Sequence, residues 1–325
     1  MPLVGPLAQS YALPADVFLD YLEDFMLFSF IQGLGAEAGV PLPHDITLFA
    51  YNDLSHWAIQ NLPAEHQDNL QSYLASSVAN MQTGGGAALP SPLPLSPHAT
   101  EAELLAFHLL EERRSTLWPA VRALLRCLPW DGMTRWSPSA DPLPDLRNFT
   151  LRLGAFYRVV PGLFQQTLRH PNVTLLLNQL VAHCHPKHRW SSLELLLNTL
   201  SPPHRDSKNT DDGTLLLQLS VNEGGLVWVE DADGTVYQDV PGQLGLIGGT
   251  EYDLHGLSLL FRADKLWHAT QPWPAYSRVV LAAYTVKGIE RFSTELREQL
   301  ERLGYRLPYV ANPPVSSLLP PTVGR

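Results

Sequence analysis

The sequence predicts an α+β fold in which a largely helical first half supports a jelly-roll core of short strands. Three observations carry this reading. Apolar residues recur at helical spacing through much of the first 189 residues. From about residue 190 the period shortens to β-prone runs (LELLLNTL, TLLLQLS, LVWVE, TVYQD, QLGLI, LSLLF, RVVLAAYTV) separated by the turn signals DDG, NEGG, DADG, PGQ and GGT. Many short strands at such spacing are the mark of a sandwich or barrel of the jelly-roll type. A last helical stretch, TELREQLERLG, follows the strands.

Taken in order, residues 1–82 form an acidic helical region. Residues 15–35 place acidic and apolar positions at helical spacing and stop at glycine, and DLSHWAIQNL and HQDNLQSYLASSVANM read as further helices. Residues 83–99 are rich in Gly, Pro and Ser and read as a linker or long surface loop. Residues 100–189 read as a helical support region. Thr100 with Glu103 fits a capping box, the helix it opens is interrupted at Pro119, and GLFQQTLRH leads into a helix ending at AHC. Residues 190–292 hold the strands, and residues 293–325 a C-terminal helix and a proline-rich tail that reads as disordered.

Composition narrows the function classes. The chain has 325 residues, 45% hydrophobic and 17% charged, which suits a globular protein with a sizeable core. With two cysteines, Cys127 and Cys184, a disulfide framework is not expected, a four-cysteine zinc site is excluded by count, and a reducing compartment is expected. No apolar run approaches the roughly 18 residues of a membrane span, and no basic-then-apolar leader opens the chain, so an intracellular location without a membrane partner is expected. Two N-x-S/T sequons, at Asn148 and Asn172, are short enough to arise by chance. The net charge of −10 is unevenly spread: residues 1–112 hold 13 Asp and Glu and no Lys or Arg, whereas residues 113–325 hold all 22 Lys and Arg against 19 Asp and Glu. The acidity of the whole therefore says little about what the second half binds.

The chemistry concentrates after the run LELLLNTL, in SPPHRDSKN. Residues i and i+2 on a strand share a face, so His204 and Asp206 can point into one cavity. Together they are two of the three ligands of the two-histidine, one-carboxylate triad that holds non-haem Fe(II) on one side and leaves other positions open. His255 and His268 are the alternatives for the third ligand. His268 is favoured because Arg278 follows ten residues later at the start of an apolar strand. A dicarboxylate co-substrate that chelates iron through its 2-oxo acid end needs a buried, permanently charged, bidentate partner for its far carboxylate, and guanidinium suits that role. A second cluster, His183, Cys184, His185 and His188, contains zinc-ligand types, although a polar helix end explains it equally well.

PHRDSKNTDDGTLLLQLS and LWHATQPWPAYSRVVLAAYT resemble segments of the Fe(II)/2-oxoglutarate-dependent dioxygenase superfamily, and within it the TET/JBP group that oxidises the methyl of 5-methylcytosine or thymine. The resemblance covers roughly residues 195–290. It implies a double-stranded β-helix (jelly-roll, cupin-like) core, with His204, Asp206 and His268 holding Fe(II) and Arg278 holding 2-oxoglutarate, while O2 is the second co-substrate. It also implies DNA carrying a modified base as partner, hence a nuclear location. Asn209 then matches a base-contacting asparagine, and Arg205 and Lys208 become phosphate contacts or, equally, solvated loop charges. Where the TET pattern has Tyr, one residue and a base-contacting His, this chain reads Tyr284-Thr285-Val286, and the cysteine-rich zinc-binding part of that group is absent. Two further readings share the scaffold: a hydroxylase of a protein side chain or small molecule, and a catalytically inactive barrel-type binding module. The complete His204, Asp206, His268 and Arg278 set argues against the last.

Overall fold

A computed structural model describes residues 7–80, 87–113, 115–130, 148–310 and 322–324. The elements in chain order are β1 (Ala8–Ala12), α1 (Ala15–Ala38), α2 (Tyr51–Asn61), α3 (Ala64–Asn80), α4 (Glu101–Glu112), α5 (Leu117–Leu124), β2 (Phe149–Tyr157), β3 (Pro161–Phe164), α6 (Gln165–Arg169), α7 (Pro171–Cys184), β4 (Ser192–Leu197), β5 (Thr214–Gln218), β6 (Val227–Glu230), β7 (Val236–Asp239), β8 (Leu246–Tyr252), β9 (Leu257–Phe261), β10 (His268–Thr270), β11 (Val279–Tyr284), α8 (Thr294–Arg302) and β12 (Thr322–Gly324). Of the tail read as disordered, residues 313–321 and 325 lie outside the described residues, as do residues 83–86 of the linker.

The strands form two sheets, an eight-stranded one in the order β1-β9-β5-β11-β4-β2-β3-β12 and a four-stranded one in the order β10-β6-β8-β7. All described pairings are antiparallel except β12 with β3. Strand alternation sorts the central strands of the large sheet into two faces. Leu193, Leu195, Leu215, Leu217, Val279, Leu281 and Ala283 pack with the helices in one core. Leu216, Leu259, Phe261, Val280 and Ala282 face the other way and meet Val227 and Val229 of the small sheet. The result is a curled, half-barrel arrangement with helices on its outer side, consistent with a jelly roll.

Five strands lie where the sequence pattern predicts none, among them β10 and, in the tail read as disordered, β12. The short AQSYA strand β1 pairs with β9, and β2 and β3 fall inside the stretch read as helical support. GLFQQTLRH thus divides between β3 and α6. Two helix expectations also change. Pro119 breaks nothing, since it lies in the first turn of α5, where its missing amide has no partner to lose. The break lies earlier, where Arg113 caps α4 in a left-handed conformation. Helix α1 runs through Gly33 and Gly35 to Gly39 (φ 65°). Gly35 lets the chain pack closely, as a Cβ there would lie 2.5 Å from Leu42 Cδ1 and make that side chain shift.

Several polar groups buried between the layers are paired across them. Thr100 Oγ1 accepts from the Glu103 amide as a cap should, but the Glu103 carboxylate leaves its own helix and accepts from Asn172 N, Asn172 Nδ2 and Val173 N at the start of α7. Both sequon asparagines are buried, Asn172 fully, so neither is open to a glycan in this fold. Arg122, on α5, is a fully buried cation. Its Nε donates to Asp24 Oδ2 of α1 at 3.0 Å, and its amino groups donate to the carbonyls of Thr47 (2.8 Å), Leu219 (2.7 Å) and Phe49. Trp118 Nε1 donates to the same Asp24 oxygen at 3.0 Å.

Two stability predictions follow from this packing. Arg122→Met leaves the Asp24 carboxylate buried without its counter-charge, and urea unfolding is expected to register a loss of about 3–5 kcal/mol, partly recovered by adding Asp24→Leu. The second concerns His185 and His188, whose pKa values burial pushes down to about 4 from an ordinary 6.5. They are neutral when folded, whereas in the unfolded chain they take up protons below that ordinary value. Stability is therefore full above about pH 6.5 and falls as the pH drops from there toward 4. A series of urea midpoints should show that slope, and His188→Gln should make it shallower.

Candidate metal centre and co-substrate pocket

The loop after β4 builds the site. Asn198 turns the chain in a left-handed conformation (φ 52°). Its side-chain carbonyl accepts from the Arg278 amide at 2.8 Å, and its own amide donates to the Arg278 carbonyl at 2.8 Å. Two prolines then remove donors from the ladder, and pairing resumes at His204. His204 and His268 exchange both backbone hydrogen bonds, each 3.0 Å, as an isolated antiparallel bridge. Their side chains therefore stand side by side, with ring centroids 4.2 Å apart and tilted by 51°. The Asp206 amide donates to Ala263 O at 2.8 Å. Asp206 thus lies in a turn rather than on a strand, yet its carboxylate reaches the same side as His204.

One ligand atom from each of His204, Asp206 and His268 lies within 4.8 Å of the others. His204 Nε2 is 3.7 Å from Asp206 Oδ1, and His268 Nε2 is 3.9 Å from Asp206 Oδ2. Both Nδ1 atoms face backbone carbonyls, Pro202 O at 2.8 Å and Leu266 O at 3.1 Å. Those carbonyls select the tautomer with the proton on Nδ1 and the lone pair on Nε2, the atom turned to the cluster. Burial, with the neighbouring His204, pushes His268 down to about 3, so its imidazole is neutral and ready to ligate. Asn209 Nδ2 donates to Asp206 Oδ2 at 3.3 Å and to Thr214 Oγ1 at 3.1 Å, which orients the carboxylate. Two imidazole nitrogens and one carboxylate oxygen at this separation fit a divalent metal of the iron type.

Arg278 precedes β11 on the same strand face as Val280 and Ala282, the face between the sheets. It is 4% exposed. Its Nη2 donates to Gly225 O at 2.6 Å and its guanidinium lies 5.6 Å from the Trp273 ring centroid. Its Nε is buried with no hydrogen-bond partner among the described residues. Burial lowers the guanidinium to about 10, which still leaves it charged at neutral pH. Gly225 (φ +71°) makes the room, because a Cβ there would lie 2.4 Å from Arg278 Nε. A buried cation with an unspent donor fits a carboxylate.

Other sequence candidates lie elsewhere. Arg205, between the two ligands, turns its side chain away from the cluster. There it pairs with Glu230 at 2.9 Å and lies 4.7 Å from the Trp267 ring centroid. Lys208 is exposed, and its carbonyl accepts from the Lys287 amide. Asn209 is buried and its amide is spent on Asp206 and Thr214. His255 stands edge-on to Tyr21 and Phe25 of α1, outside the cluster. His183 meets Asp16, His185 meets Ser258 Oγ and His188 meets Ala283 O, so that cluster does not converge. Sequence reasoning missed Asn198 and Gly225. The NEGG signal marked only a turn, and nothing local to either residue reveals that it seats Arg278.

No family model matches the chain, and no curated protein matches it. Among solved structures, a 2OG-Fe(II) oxygenase family oxidoreductase from Burkholderia pseudomallei is similar at 13% identity and TM-score 0.33, over 61% of this chain and 94% of that one. NgTET1 in complex with 5mC DNA is similar at 11% identity and TM-score 0.30, over 43% of this chain and 61% of that one. A Pseudomonas putida prolyl-4-hydroxylase is similar at 15% identity and TM-score 0.28, over 66% of this chain and 99% of that one. At TM-scores this low none of these likenesses carries the functional reading, which rests on the residues themselves.

Proposed function

We propose that this chain is an Fe(II)- and 2-oxoglutarate-dependent dioxygenase that hydroxylates a C–H bond, built on a double-stranded β-helix core. The observation that carries the reading is the convergence of His204, Asp206 and His268 beside an interior that also holds the partly unspent Arg278 guanidinium. The order in which the chain visits its sheets supports the core assignment: β4 and β5 lie in the large sheet, β6 and β8 in the small, β9 in the large, β10 in the small and β11 in the large.

Each residue has a distinct task. His204 and His268 offer Nε2 with the proton held on Nδ1 by carbonyls, and Asp206 offers a carboxylate steadied by Asn209. Arg278 binds the far carboxylate of 2-oxoglutarate through Nε and its amino groups, while Gly224-Gly225 and Trp273 shape that end of the pocket. Bound Fe(II) with 2-oxoglutarate and O2 supplies C–H oxidation, with succinate and CO2 as co-products. The apolar residues between the sheets, Val227, Val229, Leu216 and Val280, keep water from that interior. The finer reading, from the likeness of PHRDSKN and LWHATQPW, is the methyl of 5-methylcytosine or thymine in DNA, which must leave the base stack to be reached. In that reading Lys208 at the rim serves phosphates, and Arg205 does so only by leaving Glu230.

Purified protein with Fe(II), 2-oxoglutarate and ascorbate is expected to form succinate faster with methylated than with unmethylated DNA, and His204→Ala to form none. Succinate no higher than the His204→Ala control with every substrate overturns the dioxygenase reading, whereas turnover indifferent to DNA methylation removes only the methyl-base version. Gly225→Ala displaces Arg278, so the KM for 2-oxoglutarate should rise by about ten- to a hundredfold, the size expected for a lost charged hydrogen bond. Arg278→Met should raise it at least as far, with metal binding retained in both.

A further inference from the structure

Strands β5 and β11 separate beside Arg278. Their register runs from Ala283 opposite Leu215 to Val280 opposite Gln218. Continued, it puts Arg278 opposite Ser220 and Ser277 opposite Val221. The backbone pairing does not continue in that form. Leu219 N still donates to Val279 O at 2.9 Å, but Val279 N donates to the Ser220 side chain, Oγ, also at 2.9 Å. Ser277 and Val221 then bond to a third segment instead of to each other. Val221 N donates to Thr47 O at 3.3 Å, Thr47 Oγ1 donates to Ser277 O at 2.6 Å, and Ser277 N donates to His44 O at 2.7 Å. Thr47 lies in the turn Ile46–Leu48 of the acidic helical region, 230 residues before Ser277, and is fully buried. It is a wedge between two strand ends.

The wedge stands where the co-substrate pocket needs room. Once β5 has left β11, the chain turns through Asn222, Glu223 and Gly224 and brings Gly225 O to Arg278 Nη2 at 2.6 Å. That turn is held from β5: Ser220 Oγ donates to Asn222 Oδ1 at 2.6 Å, and Gln218 Nε2 donates to Asn222 O at 3.0 Å. On the other side, Tyr276 adopts a left-handed conformation (φ 65°) and stands edge-on to Phe28 of α1, with ring centroids 5.5 Å apart. Its carbonyl accepts from Trp273 Nε1 at 2.9 Å. Both walls around Arg278 therefore start from backbone that Thr47 holds.

The two polar groups of Thr47 have separable tasks. Its carbonyl accepts from Arg122 Nη1 at 2.8 Å and from Val221 N, bonds that any residue at position 47 can make. Its hydroxyl donates to Ser277 O, next to the residue whose guanidinium meets the co-substrate. The carbonyl thus anchors the fold, whereas the hydroxyl adjusts the strand that carries Arg278.

We propose that Thr47 is a positioning residue for 2-oxoglutarate, acting through Ser277 on Arg278, so that the acidic helical region forms part of the co-substrate pocket. This rests on the oxygenase reading of the metal centre. Coupling of this kind is reciprocal: what Thr47 gives to co-substrate binding, co-substrate binding returns to the docking of residues 44–49.

Calorimetric titration of the full chain, loaded anaerobically with Fe(II), tests this with two ligands. One is 2-oxoglutarate. The other is oxalate, which has the chelating end but no arm to reach Arg278. Thr47→Val deletes the hydroxyl and keeps the branched shape. It is expected to weaken 2-oxoglutarate by about three- to tenfold, the worth of one neutral hydrogen bond, and to leave oxalate unchanged. Thr47→Ser, which keeps the hydroxyl, should bind both as the wild type does. A purely structural role predicts a lower melting temperature with unchanged 2-oxoglutarate affinity, and that result overturns the proposal. An equal loss for oxalate overturns it too, as does a Thr47→Ser protein as weak as Thr47→Val. Should Thr47→Val not fold, hydrogen exchange on the wild type decides: bound 2-oxoglutarate should slow the Val221 and Ser277 amides, and oxalate should not. No slowing at those two amides sinks the proposal while the oxygenase reading stands. Wild-type protein that binds no 2-oxoglutarate removes both.

Discussion

The burial of Arg122 against Asp24 is the constraint on which the rest of the molecule hangs. A guanidinium can be taken out of water only if its donors are met, and here they reach α1 through Asp24, the 47–49 segment through Thr47 and Phe49, and the end of β5 through Leu219. The helical layer and the large sheet are thereby locked in one arrangement. The lock continues toward the chemistry. Thr47 Oγ1 donates to Ser277 O at 2.6 Å, Ser277 N donates to His44 O at 2.7 Å, and Val279 N donates to Ser220 Oγ at 2.9 Å. The residue enclosed by these bonds is Arg278.

The contrast between the two buried arginines is instructive. Arg122 spends its donors on Asp24 and three carbonyls, as a structural cation must. Arg278 is as deeply buried, yet makes one hydrogen bond to a carbonyl and leaves Nε unmet among the described residues. Unmet buried donors are rare in folded proteins and mark either strain or a missing ligand. The glycine pair beside Arg278 and its tryptophan wall fit the second explanation, since the backbone has been cleared to give the guanidinium its position.

The metal centre obeys the same economy. His204 and His268 are placed by one backbone bridge, which fixes their separation before any side-chain contact is made. Backbone carbonyls then choose the tautomer of each. Asp206, outside the ladder, needs a separate support, and Asn209 provides it. A residue that the likeness to base-modifying enzymes assigned to substrate thus holds the ligand carboxylate.

Much of this was legible in order of sequence. The i, i+2 spacing of His204 and Asp206, the later histidine and the arginine ten residues beyond it carry the chemistry, although Asp206 reaches the cluster from outside the ladder and not by strand alternation. The shift from helical to β-prone runs near residue 190 marked the core through local periodicity. What no local pattern contained was long-range pairing. AQSYA is a strand only because β9 has a free edge for it, and the segment TLRLGAFY is β2 only because β4 lies beside it. The choice of His268 over His255 was decided by a backbone bridge across 63 intervening positions of the chain. Asn198 and Gly225 matter through what they touch. By itself the sequence determined which ligand types exist and which faces they prefer. The tertiary structure decided which of them meet, because only the closing of two sheets over one interior brings distant strands within bonding distance.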